Sequence, residues 1–281
     1  LLIAPFNSST GSPFPMDSSR LAVATVALSS DLRTALERAR NLGVRGVEID
    51  ARGGLDPEQV SQTGLRQIRK WLDNEGLVVA AVAFRTRGGY ADADRLEGRI
   101  AATKRALELA HDLGAQVVLN QIGDVPPPAT DPEAEPDPQW RLLIDVLTDL
   151  GTWGQRVGAT LCAEAGRAGP DDLVRVIASL PEGSLRCDLV TGALVVHRHD
   201  PVEAIEKLSG HIGYVHATDA VGGAFTGRGR AAALGTGHVD LAAVFGTLEE
   251  RGYRGWIGLE PAGERGGVAE LAAAVQWLRG M

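Results

Sequence analysis

Four residues able to bind a metal or move a proton stand at matching places in the second half of this 281-residue chain. Glu164 follows Leu161-Cys162-Ala163, Asp188 follows Arg186-Cys187, His216 follows Tyr214-Val215, and Glu260 follows Leu259. A carboxylate that closes an apolar run is costly to bury unless it is paired or bound to a cation. Three carboxylates and one imidazole form an oxygen-rich set, better suited to Mn²⁺, Mg²⁺ or Co²⁺ than to structural Zn²⁺, which favours Cys and His. Two of the four are glutamates on non-adjacent runs, so a substrate held between them can lose a proton to one and regain it from the other. The plainer alternative is that each acidic side chain caps or salt-bridges a strand end.

Positioning such residues together requires a fold that gathers the ends of distant segments. From Leu21 onward, short apolar runs alternate with longer stretches of helical period, the pattern of βα units around a parallel sheet. Eight strand-like runs can be counted: Leu21–Leu28, Gly46–Asp50, Val78–Arg85, Gln116–Gln121, Thr160–Glu164, Leu185–Leu189, Ile212–Ala217 and Trp256–Glu260. The helical stretches between and after them are Leu32–Leu42, Pro57–Glu75, Arg95–Leu113, Pro138–Val157, Pro170–Leu180, Pro201–Leu208, Leu241–Arg251 and Val268–Leu278. Gly43, Gly76, Gly114 and Gly252 fall where a helix C-terminus wants a left-handed residue, and Pro57, Pro170 and Pro201 fall at first-turn positions. Eight units predict an α/β fold, a single (β/α)₈ barrel over residues 21–281 preceded by a flexible leader over 1–20. A doubly wound sheet would carry a phosphate-binding glycine turn after its first strand, and none is present. In a barrel the C-terminal strand ends form one mouth, where Glu164, Asp188, His216 and Glu260 would meet. The Pro-rich acidic segment from Asp124 to Pro138 lies on the same side.

Composition excludes several classes. The 28 basic and 36 acidic residues leave a formal charge of −8 with no basic stripe, which argues against nucleic acid as a partner. The longest apolar run, Leu77–Phe84, is far short of the roughly 20 residues that cross a bilayer, so no membrane partner is expected. The start lacks the basic and apolar regions of a secretory signal. Two cysteines, Cys162 and Cys187, are too few for a disulfide framework, which makes a reduced, cytoplasmic setting the default.

The segments Ala163-Glu164-Ala165-Gly166, Cys187-Asp188, Tyr214-Val215-His216-Ala217-Thr218-Asp219, Leu234-Gly235-Thr236-Gly237-His238-Val239-Asp240 and Gly258-Leu259-Glu260, with the earlier Gly46-Val47-Glu48-Ile49, resemble the xylose isomerase-like TIM-barrel superfamily in its sugar phosphate isomerase/epimerase branch. The resemblance implies one divalent metal, Mn²⁺ first with Mg²⁺, Co²⁺ or Zn²⁺ as alternatives, held by Glu164, Asp188, His216 and Glu260. It makes Glu164 and Glu260 the acid and base, acting on a small carbohydrate, and it is compatible with a homo-oligomer. Many relatives carry a His a few residues after the metal-binding Asp, whereas this chain reads Asp188-Leu189-Val190-Thr191.

Other residues are candidates to hold substrate. Glu48 and Asp50 share one strand face, so one of them should point into the barrel, with pairing to Arg85 or Arg52 as the structural alternative. Arg85 and Gln121 end their strands where hydroxyls would be bound, and Arg228 lies in a glycine-rich loop where a guanidinium could clamp an anion or a sugar hydroxyl. Trp140 is a candidate for sugar stacking, and His197 and His199 are expected in solvent. The reaction class is proton abstraction beside a carbonyl, through an enediolate stabilised by the metal. Return of the proton makes an epimerase or isomerase, and loss of a β-substituent makes a dehydratase or lyase. An apurinic endonuclease would need many more histidines than the 6 present. A barrel kept only for ligand binding is the non-enzymatic alternative.

Overall fold

The apolar runs close on themselves. The computed structural model describes residues 18–128, 135–263 and 267–280. In chain order the elements are β1 (Leu21–Ala24), α1 (Thr25–Leu28), α2 (Leu32–Asn41), β2 (Gly46–Asp50), α3 (Gln62–Glu75), β3 (Val78–Ala83), α4 (Leu96–Leu113) and β4 (Val117–Asn120). They continue as α5 (Pro138–Val157), β5 (Thr160–Ala165), α6 (Pro170–Ala178), β6 (Leu185–Val190), α7 (Thr191–Val196), α8 (Pro201–Leu208) and β7 (Ile212–Ala217). The last are β8 (Asp219–Gly222), β9 (Gly229–Ala232), α9 (Leu241–Glu250), β10 (Ile257–Leu259) and α10 (Gly267–Arg279). Eight parallel strands pair in the closed order β1-β10-β7-β6-β5-β4-β3-β2, and β8 and β9 form a separate antiparallel hairpin.

The expected (β/α)₈ barrel is therefore present, with local departures. The first run ends as a strand at Ala24 and continues as the helical turn α1. A β-branched apolar run suits either state, and Thr25 Oγ1 donating to the Glu48 carbonyl at 2.9 Å ties the turn to β2. The second helix starts at Gln62, not at Pro57, because the Ser61 side chain caps it by accepting from Gly64 N at 3.1 Å. Loss of that cap in Ser61→Ala would cost about 1 kcal/mol. Pro170 and Pro201 do begin α6 and α8, and Gly43, Gly76, Gly114 and Gly252 all have positive φ. The glycine-rich loop after β7 contains the β8–β9 hairpin. The expected leader, residues 1–20, lies outside the described residues except for 18–20, a short 3₁₀ turn leading into β1.

Two apolar layers result. The larger lies between the barrel and its helices, with Leu36, Leu107, Leu147 and Leu150 fully buried. The smaller, inside the barrel, comprises Ala22, Ala80, Ala81, Val117, Leu119, Cys162 and Tyr214. Tyr214 is the one large residue of that plug. It fits because Gly258 faces it: a Cβ there would come within 2.5 Å of Tyr214 Oη. The plug divides the interior into a mouth at the C-terminal strand ends and a floor at the N-terminal ends.

Candidate active site at the C-terminal strand ends

Strand alternation and register bring the mouth residues together. Residues two apart on a strand share a face, so β2 sends Glu48 inward, and β5, β6 and β7 send in Glu164, Asp188 and His216. Glu164 stands opposite Asp188 in the β5–β6 ladder, and Val190 opposite His216 in the next. Glu260 follows directly on β10.

His216 is the centre. It is fully buried and edge-on to Tyr214, with ring centroids 5.0 Å apart. Its Nδ1 lies 3.0 and 2.9 Å from the two Asp188 oxygens, its Nε2 lies 2.7 Å from Glu48 Oε2, and Glu260 Oε1 is 3.7 Å from Nε2. An imidazole flanked by carboxylates at both nitrogens satisfies both only as imidazolium, or with a cation taking the place of one proton. Burial alone would lower the pKa of His216, but the charges of Asp188, Glu48 and Glu260 outweigh it and raise the value well above the ordinary one. Asp188, fully buried, is pushed up to about 6 by desolvation, against the pull of His216. Glu260 is held below its ordinary range because His216 and Arg85 together outweigh its burial.

Arg85, just past β3, is the second cation. Its Nε donates to Glu164 Oε1, its Nη2 donates to Glu260 Oε1 at 3.0 Å, and its Nη1 stands 4.0 Å from Glu48 Oε1. Its pKa moves further up despite a burial penalty, because those three glutamates surround it. Gln121 Nε2 donates to the other oxygen of Glu164 at 2.8 Å. Four carboxylates (Glu48, Glu164, Asp188, Glu260) thus share one guanidinium and one imidazole, a surplus of negative charge in a poorly hydrated place. That surplus fits a divalent cation. Among the described residues, ligand atoms of Glu48, His216 and Glu260 all lie within 4.8 Å of one another.

Several clefts among the described residues open onto the cluster. One of about 690 Å³ reaches Glu164 and is lined also by Gln121, Asp124, Arg167 and His197. One of about 310 Å³ reaches Glu48 and Arg85, and one of about 210 Å³ reaches Glu260, Asp219 and Thr218. Glu164 thus lines the first of these and Glu260 the third, and the Arg85 guanidinium is bonded to both glutamates. The wall beside Glu260 is fastened by Asp219, whose buried carboxylate accepts from the backbone N–H groups of Ala220, Gly235, Gly237 and Val239 at 2.7–3.1 Å.

Of the residues expected to touch substrate, Glu48, Arg85 and Gln121 are bonded into the cluster itself, and Arg228 lies exposed at the turn of the β8–β9 hairpin. Asp50 accepts from Arg52 N and Gly53 N and so shapes the turn after β2. Trp140 is stacked by Arg175, 4.2 Å from the ring centroid. His197 and His199 are half-buried instead of exposed, because α7 folds the chain back over the mouth. His197 lines the Glu164 cleft, and burial, with His199 and Arg167 nearby, lowers its pKa. The direct bond from Glu48 to His216 was signalled only by the alternation that made Glu48 or Asp50 inward. For His197 there was no signal.

The family model described as xylose isomerase-like TIM barrel matches residues 36–281. The chain is 22% identical over 242 residues to inosose dehydratase from Clostridium beijerinckii, covering 78% of this chain and 78% of that protein. The solved 3-keto-D-glucoside 4-epimerase from E. coli superposes with a TM-score of 0.74 at 17% identity, covering 92% of this chain and 98% of that one. A xylose isomerase-like TIM-barrel protein from Mycobacterium smegmatis, solved in complex with magnesium, superposes with a TM-score of 0.74 at 20% identity, covering 95% and 97%.

Proposed function

The chain belongs to the xylose isomerase-like TIM-barrel family, and from that premise we propose that it is a divalent-metal-dependent isomerase or epimerase of a small carbohydrate or polyol ketone. The observation that carries the reading is the charge surplus at the mouth: four carboxylates converge on one buried imidazole with one arginine among them. Glu164, Asp188, His216 and Glu260 would hold the ion, Mn²⁺ before Mg²⁺, Co²⁺ or Zn²⁺. Glu48 would accept the Nε2–H of His216 and fix its tautomer, as carboxylates do behind metal-binding histidines.

When bound, the ion supplies Lewis-acid polarisation of a carbonyl and a neighbouring hydroxyl. The rest is done by the chain. Glu164 removes the proton beside the carbonyl, and Gln121 on its other oxygen holds the carboxylate in position. Glu260, after β10 and with β7 and β6 between it and β5, returns a proton from its own side, which inverts the carbon or shifts the carbonyl to its neighbour. Arg85 bridges the two glutamates, donating to an oxygen of each, and must release Glu260 for that carboxyl to carry the proton it returns. A dehydratase is the second reading, supported by the run Asp188-Leu189-Val190-Thr191-Gly192-Ala193, which lacks the His that many relatives carry a few residues after the metal-binding Asp, and by His197 in the Glu164 cleft as a proton donor to a departing hydroxyl.

Metal analysis of the purified protein tests the reading, with wild type beside Glu260→Gln and His216→Ala. About one Mn²⁺ or Co²⁺ per chain, weakened or lost in both variants, is expected. Keto-sugars are then screened for epimerisation, isomerisation and elimination. Wild-type protein that takes up none of these ions after incubation would overturn the proposal and leave a binding barrel.

A further inference from the structure

Glu164 is held from two loops that are themselves tied together. Arg85 Nε donates to one of its oxygens and Gln121 Nε2 to the other, and these two residues stand just past β3 and β4. The backbone around both is fastened by buried polar side chains. Asn120 Nδ2 donates to the carbonyl of Phe84, directly before Arg85, at 2.6 Å, and Thr86 Oγ1, directly after Arg85, donates to the carbonyl of Gln121 at 2.9 Å. Thr86 Oγ1 also lies 3.4 Å from Asn120 Oδ1, so the two side chains cross between the strand ends as one unit.

Asn120 is fully buried and shares the strand face of Val118, which belongs to the apolar layer under the helices. A residue chosen for that layer alone would be aliphatic, since a buried amide is costly unless its groups are bonded. The loops meet again further out. Tyr90 N donates to the Ile122 carbonyl at 2.9 Å, and the buried Tyr90 hydroxyl lies 2.8 Å from Thr103 Oγ1 on α4, which itself donates to the Arg99 carbonyl at 2.9 Å. Gly123, at φ +88°, runs backbone to backbone against Gly89: a Cβ there would lie 2.2 Å from Gly89 Cα. The two loops are thus joined into one body anchored on α4, and residues 86–89 and 121–123 of that body line the Glu164 cleft.

A carboxylate that takes a proton from carbon needs one fixed aim, because small misplacements cost rate steeply. That aim comes from neighbours whose own positions are locked. We propose that Asn120 and Thr86 are positioning residues: by fixing the main chain around Arg85 and Gln121, they direct the two donors that orient the Glu164 carboxylate. The purpose of this aim rests on Glu164 being the base, as proposed above; the aim itself does not.

Nitrogen-15 NMR of the full chain reads the Gln121 side-chain amide, assigned by its loss in Gln121→Met. In the wild type, the bond from Nε2–H to Glu164 should set that proton downfield of unbonded glutamine amides. Thr86→Val and Asn120→Ala should each return it towards the unbonded position, whereas Thr86→Ser, which keeps the hydroxyl, should leave it in place. Ser61→Ala, a destabilising change in the α3 cap and outside this network, should leave it in place too. Mn²⁺ titration of the same proteins should show affinity falling roughly three- to tenfold in Thr86→Val and Asn120→Ala but not in Ser61→Ala. A wild-type amide at the unbonded position overturns the proposal, as does a signal unchanged in both variants or changed as much by Ser61→Ala. Variants that bind Mn²⁺ as tightly as a wild type that takes up the ion overturn it as well. A wild type that takes up no Mn²⁺ removes the metal reading alone, and the amide signal then decides. Thr86→Val, which replaces only a hydroxyl by a methyl group, carries the test should Asn120→Ala fail to fold.

Discussion

The two ends of one barrel are built from the same strands and carry opposite charge. On β6, Asp188 serves the mouth and Arg186 the floor, two residues apart. At the mouth, carboxylates outnumber cations and every one of them is bonded to His216 or Arg85. At the floor, Arg20, Arg186, Arg251 and Arg254 line a cavity with no Asp or Glu in its wall among the described residues. Period-2 alternation therefore fixes only that a residue points inward, and its distance along the strand decides which of two chemically distinct chambers it enters. Tyr214 and the small residues around it keep the chambers apart.

The largest effects are expected where the mouth does chemistry. With a substrate in hand, Glu164→Gln and Glu260→Gln should each lower kcat by roughly 10²–10⁴-fold, the usual range for removing a general acid or base. Their unfolding temperatures should stay near wild type, since each amide can still accept from Arg85. Variants that keep more than a tenth of the activity would break the assignment of the pair.

Next is the mouth's wall. Asp219→Ala removes an acceptor of four backbone hydrogen bonds and should destabilise the protein by about 3 kcal/mol, because buried N–H groups are left without partners. Urea denaturation measures it, and a change below about 1 kcal/mol would mean that the segment from Gly235 to Val239 re-forms without its anchor.

The two carboxylates on His216 can be told apart by metal titration. If Asp188 is a ligand and Glu48 only orients the imidazole, Glu48→Gln should weaken Mn²⁺ binding by roughly 10–100-fold, while Asp188→Asn abolishes it. The reverse order would move the ion to the Nε2 side, among Glu48, His216 and Glu260. Arg85→Met should act the other way, tightening Mn²⁺ about several-fold, since guanidinium and metal compete for Glu164 and Glu260. Weaker binding in that variant would mean that Arg85 organises the ligands instead of competing for them.

Much of this was legible in the sequence, for physical reasons. The strand runs are apolar and helix ends are punctuated by glycine, so the barrel and its eight pairings could be read from periodicity. Convergence of Glu164, Asp188, His216 and Glu260 at one mouth follows from topology alone. The links between residues were harder to see. Arg85 spanning Glu164 and Glu260 depends on the reach of one long side chain, and Glu48 meeting His216 depends on packing across the barrel. The α1 and α7 turns were missed because Thr-Val-Ala-Leu and Thr-Gly-Ala-Leu-Val-Val suit helix and strand alike. The inward placement of Arg186 gave no signal, because an arginine inside a strand run reads as a surface residue until its neighbour two places on is known to face inward.

The smallest predicted effect is the one that bears most directly on the floor. A charge kept for stability has a partner whose loss is costly, as at Arg85. Arg186 has no ion pair or hydrogen bond among the described residues, and it is exposed to water. Arg186→Gln should therefore change unfolding free energy by no more than about 0.5 kcal/mol at either low or high salt. Denaturant titration at two ionic strengths reads both the size and the sign. A loss above about 1 kcal/mol would assign Arg186 to the scaffold. A change within the expected bound would mean that folding does not require a charge at this strand position, so that Arg186 is tolerated at the floor because its guanidinium stays in water.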